Sequence, residues 1–405
     1  MNELIIASAG TGAAEQITPE VVEALKNSDC IFASERFKNF IDPEKFIALK
    51  NFQESFEKIK TLMNKDKKIL ILLSGDAGVF SLLPLVKKFF SDSKIKVLPG
   101  LSSLQVLAAR AGESWSSAEI FSGHGRELPP GKFLNAVERN EKVFLFCDKK
   151  NSPAWACEKL SKEIPEGKLK IFIGSNLGSP EEIFLAGPPE EFAKKIFPEL
   201  SIMLVKNHEV YSQKKFLPRD KDFLREKNIV MTHEAVRAAI ISRLELDNNS
   251  SVLWDIGAGS GSISVTAALE NLELEVHAVE YNPEALNLIS SNAKKFRLHN
   301  IKIHAGWALS IIKNLPAPSH IFIGGSGGEL PEILSVIKNL RPEKFIRLVI
   351  ACVTLETLTT AFNFMKDLKN FEALEISAAF SKSLGPSLNL MSAKNPVTIL
   401  SGELE

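Results

Sequence analysis

The most informative chemistry begins at Val252, where the chain reads Val252-Leu253-Trp254-Asp255-Ile256-Gly257-Ala258-Gly259-Ser260-Gly261-Ser262. An apolar run, a turn of alternating glycines and an amphipathic run follow one another. That order predicts a buried strand, a tight loop and a helix with Ile263, Val265 and Ala268 inward. Gly257, Gly259 and Gly261 let the backbone approach a ligand closely, beside the free N–H groups of a helix start. A dinucleotide fingerprint wants G-x-G-x-x-G. Here the third glycine comes one residue early, and Ser262 stands where that pattern wants glycine. Asp255, just before the loop, would repel a pyrophosphate and attract an ammonium group. Glu280 ends the apolar stretch Val276-His277-Ala278-Val279, where a carboxylate can take both ribose hydroxyls. These features together point to S-adenosylmethionine (SAM), which carries an adenosine and an amino acid but no phosphate.

The late position of this motif leaves about 230 residues upstream, more than one ordinary domain. That stretch has glycine turns of its own at the ends of apolar runs. They are Ser8-Ala9-Gly10-Thr11-Gly12, Ser74-Gly75-Asp76-Ala77-Gly78-Val79-Phe80, Pro99-Gly100-Leu101-Ser102-Ser103 and Ser122-Gly123-His124-Gly125-Arg126-Glu127. Turns at strand C-termini are where α/β sheets hold ligands. Gly10, Gly75, Asp76, Val79, Ser102 and Ser103 are therefore candidates for a second cofactor site, and His124 and Arg126 for catalysis.

The elements that position these residues alternate. Strands are expected at Leu4–Ser8, Cys30–Ala33, Lys68–Leu73, Ile95–Leu98, Val143–Cys147, Leu169–Gly174 and Ile202–Val205. Thr18-Pro19-Glu20 opens a helix between the first two, with a capping hydroxyl, proline and an acid in the first turn. Lys206 to Val230 is polar and charge-mixed, and reads as a linker or connecting arm. A helix follows over Thr232–Leu244, with Thr232 as N-cap, and another starts at Asn282-Pro283-Glu284. Further strands are expected near 301–304, 319–323, 346–351, 373–379 and 396–400. The alternation predicts an α/β chain whose downstream part is a doubly wound, Rossmann-like sheet. The domain boundaries read as 1–208, a linker over 209–230, and 231–405.

Composition narrows the partners. Lys plus Arg and Asp plus Glu both number 49, so no global field favours nucleic acid or an anionic membrane. The four cysteines are scattered without metal-ligand spacing, which suits a reduced cytoplasmic chain and predicts no metal site. No apolar run is long enough to span a bilayer. An RNA methyltransferase and a non-catalytic SAM-binding regulator stand as alternatives. Neutral charge and the lack of a base-handling Asn-Pro-Pro-Tyr type motif weigh against the first. Intact ligand loops in both halves weigh against the second.

Two family resemblances follow from these motifs. The upstream half resembles the tetrapyrrole (precorrin) methyltransferases through Ser74-Gly75-Asp76, Pro99 to Ser103, Gly123 to Arg126 and Leu177-Gly178-Ser179-Pro180-Glu181-Glu182. That resemblance implies a two-lobed α/β fold holding SAM. The downstream half resembles the decarboxylating precorrin methyltransferase domain through Met231-Thr232, Glu234 to Ala238, Leu253 to Ser262 and Phe322-Ile323-Gly324-Gly325-Ser326-Gly327-Gly328. In this order the halves resemble the fused C5,15-methyltransferases (decarboxylating) of cobalamin synthesis. The resemblance implies two SAM sites, a carboxylate-rich precorrin substrate and self-association. Arg36, Thr232 and Gly324 to Gly328 are then candidates for binding that substrate. Arg237, with His233, His124 and Arg126, is a candidate for the catalytic steps. Consecutive glycine N–H groups can cradle an anion. His233 stands where the family has lysine or arginine, and is a candidate for proton transfer, as is Glu234. Gly10-Thr11-Gly12 lacks the usual proline. Gly306-Trp307-Ala308-Leu309 replaces Gly-x-Ala-Pro, with Gly306 beside the cofactor and Trp307 placed to stack on adenine.

Overall fold

The computed structural model describes residues 3–125, 128–212, 217–247, 249–340, 342, 345–385 and 387–405. Contacts divide it into two units. One runs up to Leu128 and resumes over Arg139–Val210; the other joins Pro129–Glu138 to Tyr211–Glu405.

The first unit holds two five-stranded sheets. Strands β1 (Leu4–Ser8), β2 (Cys30–Ala33), β3 (Phe46–Ala48), β4 (Ile69–Leu73) and β5 (Ile95–Leu98) form a parallel sheet in the order β3-β2-β4-β1-β5. All five residues of β4 are buried, because a central parallel strand is covered on both faces. Thr18 caps the helix Pro19–Asn27 as its sequence suggests, accepting from the Val21 N–H. The second sheet takes β6 (Glu119–Ser122), β7 (Lys142–Phe146), β8 (Leu169–Ser175), β9 (Ile183–Gly187) and β10 (Ser201–Asn207) in the order β6-β7-β10-β8-β9, mostly antiparallel. The strands β3, β6 and β9 are not among those expected from the sequence; β3 and β6 are only three and four residues long, and the apolar β9 is half exposed at the sheet edge.

The second unit is built on one seven-stranded sheet. Its strands are β11 (Val252–Ile256), β12 (Glu275–Glu280), β13 (Ile301–Ala305), β14 (His320–Ile323), β15 (Ile346–Cys352), β16 (Lys369–Ile376) and β19 (Val397–Leu404), with the hairpin β17 (Ala379–Ser383) and β18 (Asn389–Ala393) set apart. The order β13-β12-β11-β14-β15-β19-β16 reverses direction at β11, and β19 alone runs antiparallel between β15 and β16. Strands β11 and β14 are neighbours whose connections leave to opposite sides. Such a switch point opens a crevice beyond the strand carboxyl ends. The hairpin is mostly exposed, and neither strand has a regular apolar/polar alternation, so its sequence carries little strand signal.

Two stretches group differently from the boundaries read in the sequence. Pro129–Glu138 joins the second unit, where Asn135 accepts from the His299 N–H at 2.9 Å and Glu138 meets Arg297 at 3.1 Å. The segment read as a linker is packed from Pro218 onward. Phe223 is buried against Phe296, and the Leu224 N–H donates to Asn292 at 2.8 Å.

Candidate active sites

In the first unit the ends of β1, β4 and β5 converge. Gly10 and Gly75 exchange backbone hydrogen bonds across a bridge, at 3.1 and 2.7 Å. Asp76 closes the loop after β4: one oxygen accepts from the Gly78 N–H at 2.7 Å and the other from the Gly100 N–H at 3.0 Å. Gly100 lies so close to β1 that a Cβ would sit 2.7 Å from that of Ser8. Ser102 caps the helix Ser103–Ala111 in a capping box with Gln105. Val79 follows Asp76 in the same turn, its N–H bonded to the Asp76 carbonyl. Gly10, Gly75, Asp76, Val79, Ser102 and Ser103 are thus gathered on three adjoining loops.

Arg36 lies on the turn after β2. Its guanidinium rests 4.5 Å from the Phe37 ring, which supports Gly12 from below. His124 is exposed at the end of β6, its ring 6.4 Å from that of Phe146, which meets Phe80 of the Asp76 loop at 5.5 Å. Arg126 lies outside the described residues.

In the second unit the loop after β11 and the loop after β14 touch at the switch point. Gly257 has φ +71°, and a Cβ on it would fall 2.3 Å from the Gly325 carbonyl oxygen. Gly259 and Gly261 also adopt left-handed φ. Glu280, at the end of β12, is largely committed to backbone: one oxygen accepts from the Gly259 N–H at 2.8 Å, the other from Tyr281 and Asn282 at 3.0 Å. It therefore holds the glycine loop in shape. Gly324 and Gly325 spend their N–H groups on the Ile256 carbonyl. The anion nest expected over Gly324–Gly328 is accordingly narrower: Ser326, Gly327 and Gly328 are the members whose N–H groups make no hydrogen bond among the described residues.

Four expected roles are changed by the geometry. Asp255 is fully buried beneath the loop and presents no open carboxylate. One of its oxygens accepts from the Ser264 hydroxyl, and Oδ1 has no partner. Thr232 does not cap the helix, which spans Glu234–Leu244 with His233 in the cap position. The Thr232 carbonyl instead accepts from Arg237 at 2.6 Å. Arg237 does not face an open surface. Its guanidinium is buried, donating also to the Pro218 carbonyl at 2.6 Å and to Asp220 at 3.1 Å, over the Phe223 ring at 4.7 Å. Three of its five N–H donors are spent in this way and the side chain is buried, so it presents no open fork to a substrate carboxylate. Trp307 is stacked on Tyr281, with centroids 4.5 Å apart and planes 5° apart, and overhangs Gly327. Gly306, left-handed at φ +147°, gives Trp307 that position and donates its N–H to the Glu280 carbonyl.

Three residues escaped sequence reasoning. Ser264 pairs with Asp255 from one helical turn beyond the motif. Tyr281 follows Glu280 directly, and an aromatic after a strand-end acid is a signal that local reading could have used. Asp220 lies 13 residues before its partner His233, and nothing in spacing announces that contact.

Burial pushes the Asp255 carboxyl up to about 6, the Ser264 hydroxyl opposing the shift. In an unfolded chain it titrates near pH 4. The folded protein therefore retains a proton that the unfolded chain gives up between about pH 4 and 6, and stability falls as pH rises through that window. Asp255→Asn keeps the shape and removes the loss. At pH 7 it is expected to stabilise the second unit by up to about 3 kcal/mol, with a flatter profile between about pH 4 and 6. Denaturant unfolding across pH checks this; a variant less stable than the parent at pH 7 would refute the account.

The comparisons with known proteins agree with the two-unit division. The family described as "Tetrapyrrole (Corrin/Porphyrin) Methylases" matches residues 3–193, and the family described as "Precorrin methyltransferase domain" matches residues 223–403. A relative from Salmonella typhimurium, the "Cobalt-precorrin-6B C(15)-methyltransferase (decarboxylating)", is 35% identical over 190 residues, covering 46% of this chain and 96% of its own. The "Precorrin-6Y C(5,15)-methyltransferase [decarboxylating]" of a Sinorhizobium species is 27% identical over 277 residues, covering 67% of this chain and 65% of its own. A crystal structure titled as a precorrin-6y C5,15-methyltransferase from Geobacter metallireducens shares 35% identity and a TM-score of 0.42, covering 46% of this chain and 95% of that one. Fold and motifs define a methyltransferase built from two α/β units in one chain. The chain belongs to the precorrin methyltransferases, as a fusion of the tetrapyrrole methylase and precorrin methyltransferase domains.

Proposed function

We propose that the chain methylates precorrin-6B (precorrin-6Y) at C5 with its first unit and at C15 with its second, and removes the ring C acetate carboxyl, giving precorrin-8 in cobalamin synthesis. One observation carries this reading. The match to the C(5,15) relative extends over 277 residues, longer than either family match alone, so it draws on both units in the same order.

The residues of the second unit fit SAM. Ser260 Oγ, on the glycine loop, is a buried polar atom without a partner, as befits a site completed by a ligand. The left-handed Gly257, Gly259 and Gly261 fold the loop tightly, Glu280 would lie beside the ribose, and Tyr281 and Trp307 would offer flat faces for adenine. In the first unit Gly10, Gly75, Asp76, Val79, Ser102 and Ser103 would hold a second SAM. SAM, when bound, supplies the electrophilic methyl group. The protein aligns the acceptor carbon with it and excludes water. Arg36 and His124 in the first unit, and the N–H groups of Ser326, Gly327 and Gly328 in the second, would receive carboxylate arms of the macrocycle.

Incubation with SAM and precorrin-6B, read by product mass, tests the reading. A gain of two methyl groups with loss of carbon dioxide is the expected result, and a product lacking either change overturns it. Titration calorimetry is expected to show two SAM sites per chain; one site would sink that part. The cobalt-containing substrate is a second reading, favoured by the name of the Salmonella typhimurium relative. Parallel assays with and without cobalt in the macrocycle decide between them.

A further inference from the structure

Beside the glycine loop of the second unit lies a cleft of about 430 Å³, lined by Arg225, Lys227, Val230, Met231, His233 and Ser260 among others. Its character is mixed in a particular way. Arg225, Glu226 and Lys227 make a charged rim with one net positive charge, Val230 and Met231 an apolar wall, and Ser260, whose hydroxyl is buried without a partner, lies at its edge. The carbonyl of Val230 would meet a Cβ on Gly259 at 3.1 Å, so the cleft adjoins the cofactor loop. A carboxylate on a short arm suits such a place. Arg225 and Lys227 can pair with it, and Met231 and Val230 flank its methylene.

His233 is held for one task at the cleft edge. Its Nδ1 lies 2.8 Å from Asp220 Oδ2. The other Asp220 oxygen accepts from the buried Arg237 at 3.1 Å, and the Asp220 N–H donates to Glu234 at 3.0 Å. Phe380 packs on the imidazole, with centroids 5.5 Å apart. A carboxylate at Nδ1 selects the tautomer with its proton on Nδ1, or stabilises the imidazolium, and leaves Nε2 as the working nitrogen. Among the described residues Nε2 has no partner.

We propose that this cleft takes the acetate arm that loses carbon dioxide, that His233 is the general acid of the decarboxylation, and that Asp220 and Arg237 are its positioning residues. The inference rests on the function proposed above and assigns its proton step. The bond between the arm's methylene carbon and its carboxyl carbon breaks. The electron pair stays with the methylene carbon and spreads into the conjugated macrocycle, and carbon dioxide leaves. The His233 imidazolium then gives its Nε2 proton to that carbon, making a methyl group, and takes a proton back from water. A carboxylate and one proton become a methyl group and carbon dioxide.

The test uses the full chain with SAM and precorrin-6B, reading product mass and carbon dioxide release. His233→Ala is expected to lower decarboxylation at least about 100-fold, within the range for a positioned acid. The C5 methyl should still be added, and free imidazole should restore carbon dioxide release. Asp220→Asn should lower kcat for decarboxylation with little change in KM, and cost nothing more in a His233→Ala background, because Asp220 acts through His233. A purely structural Asp220 would add its loss in both backgrounds, which would overturn its assignment. His233→Gln replaces His233→Ala if the smaller side chain unfolds the unit, as judged by SAM binding. Decarboxylation at the parent rate in a folded His233 variant overturns the inference alone. A parent chain that transfers no methyl group overturns the function proposed above, and this inference with it.

Discussion

Gly257→Ala is expected to abolish SAM binding in the second unit while leaving binding in the first. At φ +71° an alanine is strained by about 1–2 kcal/mol before any contact is considered. The contact is the larger problem. The new methyl would sit 2.3 Å from the Gly325 carbonyl oxygen, a backbone atom on the neighbouring loop. That loop cannot yield easily, because Gly324 and Gly325 are both bonded to the Ile256 carbonyl at the end of the same central strand. The two loops must part, and with them the surface that faces the ligand. A stability loss of about 2–4 kcal/mol in the second unit follows, with SAM affinity reduced by at least about 100-fold. Calorimetry should resolve one surviving class of site. Two unaltered sites would mean that the ligand does not lie across this pair of loops. Gly259→Ala is the milder comparison, since its methyl would meet only the Val230 carbonyl, at 3.1 Å.

Arg237→Leu should be the most destabilising single change around the cleft. The guanidinium holds Asp220, Pro218 and Thr232 at once from a position 1% exposed. Removing it takes the buried cation from Asp220, which keeps only His233 and the half-exposed Arg225, and leaves two carbonyls without their donor. Breaking a buried pair in this way costs about 3–5 kcal/mol. Arg225, 3.5 Å from Asp220 and half exposed, cannot replace it. Lysine at 237 keeps the charge but lacks the fork, so Arg237→Lys should fall between. Urea unfolding with an unchanged slope reads these losses. A change under about 1 kcal/mol for Arg237→Leu would show that the network carries little. Methyl transfer in the first unit should persist in both variants.

The two predictions lie on opposite sides of what a chain discloses by itself. The Gly257 loop is local. Strand, turn and helix are consecutive, and the glycines, Asp255 and Glu280 could be read before any fold was known. The same holds for Asp76 and Ser102, whose partners lie on loops that the strand pattern had already located. Sequence alone determined the α/β class, the two families, and the strand ends at which the glycine loops gather. It did so because buried parallel strands are continuous apolar runs and glycine turns mark where they stop. Only the tertiary structure decided what each polar side chain does. Arg237 and Asp255 looked like groups waiting for a ligand. Burial turned the first into a clamp and left the second beneath the loop with one oxygen unpaired. His233 gained Asp220 from a stretch that read as linker, across 13 residues of irregular chain. Such contacts depend on how a loop returns to the sheet, and a one-dimensional pattern carries no record of that return.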